Sequence, residues 1–259
     1  MKEFFGFGGY QRDAEGYFSW QHIAFVTSLM VIMIALAIIL GRKNRNGDIS
    51  IQNKVIIWSA ILIDSFEIFK IIVVCVRSSD PMGWIYDLPL FLCSIQLITI
   101  PLAAFSNGRA KESALDFVLV FGLLGAFFGT YFAGNNYSAY PVLSFDNVIS
   151  GITHCISGFT ALYIGITGMA RMKKKNLPIT FSILLGFCAA AFVVNKIIDY
   201  NYMFLVRGDG TPYDILYNLV GGNQILYPAG VILIFLIYIS AFYLITFMIK
   251  SEKRVKETV

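Results

Sequence analysis

The sequence predicts an all-α, polytopic membrane protein with seven transmembrane helices, its N-terminus outside and its C-terminus cytoplasmic. Three observations predict it. Of the 259 residues, 57% are hydrophobic and only 14% are charged, against about 25% charged in soluble domains. Apolar runs of bilayer-crossing length, roughly 20 residues each, follow one another through most of the chain, and their short connectors leave no room for a second, soluble domain. Finally, Lys and Arg fall into two unequal groups, the asymmetry that reports which side faces the cytoplasm.

The first run, about 21–40, follows MKEFFGFGGYQRDAEGYFSW, which lacks the basic stretch, short apolar core and small-residue cleavage site of a signal peptide. It is therefore expected to stay as an anchor. The second, about 55–76, follows the polar connector from Gly41 to Asp48, and the third, about 87–105, follows Ser78-Ser79-Asp80-Pro81. These connectors carry the residues expected of turns. The fourth, about 114–133, begins after Ser106-Asn107-Gly108 and contains Gly125-Ala126-Phe127-Phe128-Gly129, a spacing that permits close helix packing. The fifth, about 147–170, follows Gly134-Asn135-Asn136, and the sixth spans about 179–200. Between it and the seventh, about 225–249, the aromatic-rich connector 201–223 is expected at the membrane surface, where Tyr anchors among headgroups. All seven belong to one integral membrane domain, 1–259.

Orientation follows from the basic residues. Arg42, Lys43, Arg45, Lys54, Arg109, Lys111, Arg171, Lys173, Lys174, Lys175, Lys250, Lys253, Arg254 and Lys256 fall on one side of this topology, and Lys2, Arg12, Arg77 and Arg207 on the other. Lys70 and Lys196 remain inside the membrane. The net charge of +4 thus reports topology rather than a nucleic-acid partner. Cys75, Cys93, Cys155 and Cys188 show neither zinc-ligand nor disulfide spacing. No glycine-rich phosphate loop, HExxH or GxSxG motif is present, and no cofactor or metal is implied.

Ionisable groups inside a membrane are costly, and each is a functional-site candidate. Here they share one depth. At a rise of 1.5 Å per residue, Cys93 lies about 9 Å and His154 about 12 Å below the outer boundary, with Lys70 and Glu67 at roughly 9 and 14 Å. Asn195, Lys196 and Asp199 occupy the outer end of the sixth run, and Gln21 and His22 that of the first. Asp64, Glu67 and Lys70 follow one slowly rotating helix face, and Lys196 with Asp199 offers a second self-neutralising pair. Such pairs also serve as polar glue between helices.

Cys93 with His154 is the best nucleophile and base available: an imidazole that takes the thiol proton leaves a thiolate able to attack an acyl carbonyl. Free cysteine ordinarily packs as a small hydrophobe, and a buried histidine is ordinarily a satisfied hydrogen-bonding group. Cys155 points about 100° away from its neighbour His154.

At LPLFLCS (Leu88 to Ser94), HCISGFTALYIG (His154 to Gly165) and NYMFL (Asn201 to Leu205), with Gln224, Tyr227 and Pro228, the chain resembles the bacterial YwaF-like integral membrane proteins. These look related to the eukaryotic transmembrane protein 164 acyltransferases. FSWQH, ending at His22, shares the likeness, which runs from about Phe18 to Tyr238. Phe91 stands where the bacterial pattern often has histidine. The resemblance implies a cysteine nucleophile and a histidine that move acyl chains between phospholipids, roles that fall on Cys93 and His154. A more distant likeness in plan to the androgen-induced-gene lipid hydrolases implies hydrolysis as a sister activity.

The expectation is therefore a lipid acyltransferase or acyl hydrolase of a bacterial cell membrane, working in the outer-leaflet half on phospholipid or lysophospholipid substrates. Cys93 and His154 would be catalytic, and His22, Glu67, Lys70, Asn195, Lys196 and Asn201 would form the substrate-binding set. One of the lysines or Asn195 would hold the lipid phosphate or the developing oxyanion. A small-solute or ion transporter built on Glu67, Lys70, Lys196 and Asp199, or a non-catalytic membrane protein, remains open at this point.

Overall fold

A computed structural model describes residues 2–257, with side chains through residue 249. Among the described residues the protein is helical and has no strand. It divides into two compact units, Met1–Ala170 and Arg171–Val259.

The first unit holds α1 (Trp20–Asn44), α2 (Ile49–Ser78), α3 (Gln96–Phe105), α4 (Gly108–Tyr131), α5 (Gly134–Ala139) and α6 (Phe145–Thr167). Local chemistry fixes the helix ends. The Ser19 hydroxyl caps α1 by accepting from the His22 N–H at 3.3 Å, and Ser144 caps α6 by accepting from the Asn147 N–H at 3.3 Å. Gln52 donates to the carbonyls of Asn44 and Arg45 at 3.0 and 3.3 Å, closing the turn between α1 and α2. α6 ends at Gly168, whose φ of 73° suits a residue without a side chain.

α6 is the central element, packed against α1, α2 and α4, while α3 packs against α2 and α4. One core cluster joins Ile56, Ala60 and Ile63 of α2 to Ile100 and Ala103 of α3, Ala114 and Val118 of α4, and Tyr163 and Ile164 of α6. A second joins Val26, Met30 and Met33 of α1 to Ala126 of α4 and Tyr137 of α5. Between helices in lipid, close van der Waals packing rather than water exclusion supplies the attraction, which is why small residues recur at these contacts. Outward, α1 exposes Val31, Ile32, Leu36 and Ile39, a surface suited to hydrocarbon.

The expectation of one continuous helix over 87–105 is not met. Gly83–Tyr86 is a 3-10 turn, 87–95 is irregular, and α3 starts only at Gln96. Pro89 has no N–H to donate and disfavours helical backbone at Leu88. Ser94 then replaces helix bonds with its own: its hydroxyl accepts from the Phe91 N–H at 3.0 Å and donates to the Phe91 carbonyl at 3.1 Å. Apolar composition cannot distinguish this buried irregular segment from a helix.

The second unit holds α7 (Leu177–Ile198), α8 (Tyr213–Leu219) and α9 (Leu226–Glu257). α7 packs on α9, where the hydroxyls of Thr180 and Tyr243 meet at 3.1 Å. The 201–223 connector contains a 3-10 turn, Tyr202–Phe204, and the one-sided α8, whose Ile215 and Leu219 are exposed.

Five described helical segments are long and apolar enough to cross a membrane: Trp20–Asn44, Gly108–Ala139, Phe145–Thr167, Lys174–Ile198 and Leu226–Ile249. α2 is 30 residues long and carries Asp64, Glu67 and Lys70 within its apolar stretch. The side chains of Lys250, Lys253, Arg254 and Lys256, assigned to the cytoplasmic side by charge, lie outside the described residues.

Candidate functional site

Cys93 sits in the irregular segment just before α3, and His154 is two turns into α6. α4 brings them together. A side chain on Gly125 would meet the Cβ of Cys93 at 3.3 Å, and one on Gly129, a turn further along the same face, would overlap the His154 imidazole. The Gly125/Gly129 spacing is therefore the wall against which both groups rest, rather than only a helix-packing device. The thiol and the imidazole interact through their side chains.

The hydrogen bond on the far side of the ring settles what His154 can do. Its Nδ1 lies 2.7 Å from the Ser150 carbonyl oxygen. A carbonyl only accepts, so Nδ1 carries a proton, and in the neutral ring Nε2 keeps its lone pair. Nε2 is buried and closes no hydrogen bond of standard geometry. In that form Nε2 is a buried acceptor chemically able to take a proton.

Three charges clamp the cysteine segment to α2. The Lys70 ammonium lies 2.5 Å from a Glu67 carboxylate oxygen and 3.0 Å from one of Asp87, which begins the irregular segment. All three side chains are largely shielded, and the Glu67 carboxylate is near enough for its charge to act on the His154 ring. Lys70 is thus shared between two carboxylates rather than presented to a ligand.

His22 is fully buried, but both its ring nitrogens are occupied. Nδ1 accepts from the Phe18 N–H at 3.2 Å, Nε2 donates to the Thr130 carbonyl at 3.1 Å, and the ring stacks on Tyr137 at 3.8 Å. It ties α1 to α4 and has no ring nitrogen left for a substrate.

The remaining candidates belong to the second unit. Asn195 is buried and bonded both ways to the Tyr202 backbone, donating at 3.0 Å and accepting at 2.7 Å. Asn201 organises its own loop, accepting from the Val206 N–H at 2.9 Å and donating to the Arg207 carbonyl and the Asp209 carboxylate, both at 2.8 Å. Lys196 is exposed, its ammonium 5.6 Å from the centre of the Phe192 ring.

Sequence reasoning passed over Asp87, Ser150, Gln96 and the role of Gly129. The only sequence signals were Pro89 as a helix breaker, which would have set Asp87 and Cys93 in a loop, and the i, i−4 placement of Ser150 below His154.

Among the described residues, all-helical structure with five apolar helices of spanning length, and polar groups gathered at a helix break, defines an integral membrane protein of the helical class. Within that class the chain belongs to the TMEM164 family, whose model matches residues 17–249. No curated protein and no solved structure matches the chain.

Proposed function

We propose that the protein is a thiol-dependent lipid acyltransferase, with acyl hydrolysis as the same chemistry ending on water. The observation that carries this reading is the His154 tautomer: Nδ1–H is spent on the Ser150 carbonyl, and the buried Nε2 lone pair is left beside Cys93. Nε2 takes the Cys93 proton, and the thiolate sulfur attacks an ester carbonyl of a phospholipid. The tetrahedral intermediate collapses with cleavage of the ester C–O bond, and the departing alkoxide takes the proton from Nε2 and leaves as a lysophospholipid. The acyl chain is now a Cys93 thioester. A second lysophospholipid hydroxyl, or water, gives its proton to Nε2, attacks the thioester and expels the sulfur, which recovers that proton.

In this reading the chain is a YwaF-like member of its family from a bacterial cell membrane, with seven crossings, its N-terminus outside and its C-terminus cytoplasmic. The third crossing is the broken segment 83–105. Irregular backbone at membrane depth needs protein around it, and Ile95 and Gln96 are fully buried. Glu67, Lys70 and Asp87 hold the cysteine segment in place.

The test is acyl exchange in vesicles of phosphatidylcholine and a lysophospholipid, with mass analysis of the Cys93 peptide. The expected result is a hydroxylamine-labile acyl adduct on Cys93 and exchange that Cys93→Ser abolishes. Exchange or hydrolysis unaffected by Cys93→Ser would overturn the reading.

A further inference from the structure

Attack of a thiolate on an ester carbonyl moves an electron pair onto the carbonyl oxygen, and in a water-poor site that oxyanion needs a fixed hydrogen-bond donor. The obvious polar candidates in the first unit are engaged. Lys70 is held by Glu67 and Asp87, and both ring nitrogens of His22 are bonded to backbone.

Gln96 is not. It is 0% exposed, its Oε1 lies 3.1 Å from the Thr99 hydroxyl, which is shared with the Ile95 carbonyl at 3.2 Å, and its Nε2 hydrogens meet no partner among the described residues. A buried, unpartnered amide donor is costly and calls for a reason. Its place supplies one. The Gln96 N–H donates to the Cys93 carbonyl at 3.4 Å, a bond from residue i+3 to residue i, and side chains so related in a 3-10 turn lie one above the other. The Gln96 and Cys93 side chains therefore leave the backbone on the same face of the turn.

We infer that Gln96 is a catalytic residue, its Nε2–H donating to the carbonyl oxygen of the acyl substrate as that oxygen becomes an oxyanion. The inference rests on the Cys93/His154 reading and names a further participant in it. In the step itself the Cys93 sulfur forms a bond to the acyl carbon and the carbonyl π pair moves to oxygen. Gln96 holds that charge without giving up its proton, and the pair returns as the leaving alkoxide departs.

Two reactions of the same thiol separate this role from a structural one. Iodoacetamide alkylates sulfur with loss of iodide and develops no charge on a carbonyl oxygen, whereas p-nitrophenyl butyrate acylates it through an oxyanion. Both are followed at the Cys93 peptide by mass analysis, in the full-length protein in lipid nanodiscs. Gln96→Leu is expected to slow acylation by about 10²–10³-fold while alkylation stays within about threefold, because one oxyanion donor contributes that much to acyl transfer. Gln96→Glu, which puts a carboxylate in the same space, is expected to lose acylation likewise. The alkylation rate is also the control for folding at the site. Equal slowing of both reactions, or of neither, would overturn the assignment, as would a selective acylation loss in Ser157→Ala alone, Ser157 being a buried hydroxyl of α6 that also meets no partner among the described residues. If His154→Ala slows neither reaction in a protein that still carries Gln96, the Cys93/His154 reading falls, and this inference with it.

Discussion

Consecutive residues of α4 meet the two histidines of the protein: the Thr130 carbonyl accepts from His22, and Gly129 makes room for His154. Both rings are buried against the same helix, yet their surroundings differ in one respect. His22 has a backbone partner on each nitrogen and a stacked tyrosine. His154 has a backbone partner on Nδ1, while its Nε2 faces Gly129 and has no partner among the described residues. Burial and residue type therefore do not separate the two histidines; the unsatisfied Nε2 of His154 does. The region around His22 is closed by its own hydrogen bonds, while His154 Nε2 and Gln96 Nε2 are left without partners among the described residues.

The sharpest way to break this comparison is to remove each ring in turn. His154→Ala is expected to lower Cys93-dependent acyl transfer by about 10²–10⁴-fold, the usual contribution of a positioned base. His22→Phe keeps a ring in the stack and loses both backbone bonds, so the transfer rate per folded molecule is retained while stability drops by about 1–3 kcal/mol. Equal activity losses in the two variants would erase the distinction.

Gly129→Ala is the next largest effect. A methyl there displaces the imidazole, and a misplacement of about 1 Å is expected to cost about 10²-fold in transfer rate. The same change should lower thermal stability in the wild-type background and much less in His154→Ala, where the ring has vacated the space. Additive stability losses in that double-mutant cycle would separate Gly129 from His154.

How much of this was legible in the sequence depended on whether the signal was local. Apolar length marked α1, α6 and α7 to within about four residues at each end and placed α4 and α9, whose polar ends it missed by six and eight residues, because a bilayer crossing is a property of one contiguous run. Depth along α6 placed His154, whereas the depth given to Cys93 assumed a helical rise from Asp87 that the irregular segment does not have. What failed was the helix over 87–105, where hydrophobicity persisted through a segment that Pro89 and Ser94 fold irregularly. The open state of Nε2, the clamp on Lys70 and the wall at Gly129 depend on contacts between distant segments, which no periodicity encodes. Gln96 looked like one polar residue in an apolar run, and only its missing partner distinguishes it.

Smaller effects test the frame around the site. Arg77 on α2 and Asp146 on α6 form a paired contact at 2.6 and 2.8 Å that also takes in Tyr10 and the Phe5 carbonyl. Arg77→Met leaves Asp146 without its cation and is expected to cost about 3 kcal/mol of stability, measured by denaturation in nanodiscs, with thiol reactivity at Cys93 unchanged. Tyr10 supplies the smallest effect. Burial, and then its hydrogen bond to Asp146, push its phenol from 10.0 up to about 12. A raised folded-state value means this contribution is complete below pH 10 and is lost as the pH rises through about 12. Tyr10→Phe should flatten that alkaline fall in melting temperature and, at neutral pH, cost the hydrogen bond to Asp146, about 1–2 kcal/mol.

The central claim is that His154 activates Cys93 from within the membrane. Its most direct measurement is the labelling rate of all four cysteines by a lipid-tailed thiol electrophile in native membranes, in wild type and in His154→Ala. The account predicts that Cys93 labels first and that its lead over Cys75, Cys155 and Cys188 disappears without His154. Labelling of Cys93 no faster than the other three, or a lead that survives His154→Ala, would contradict it.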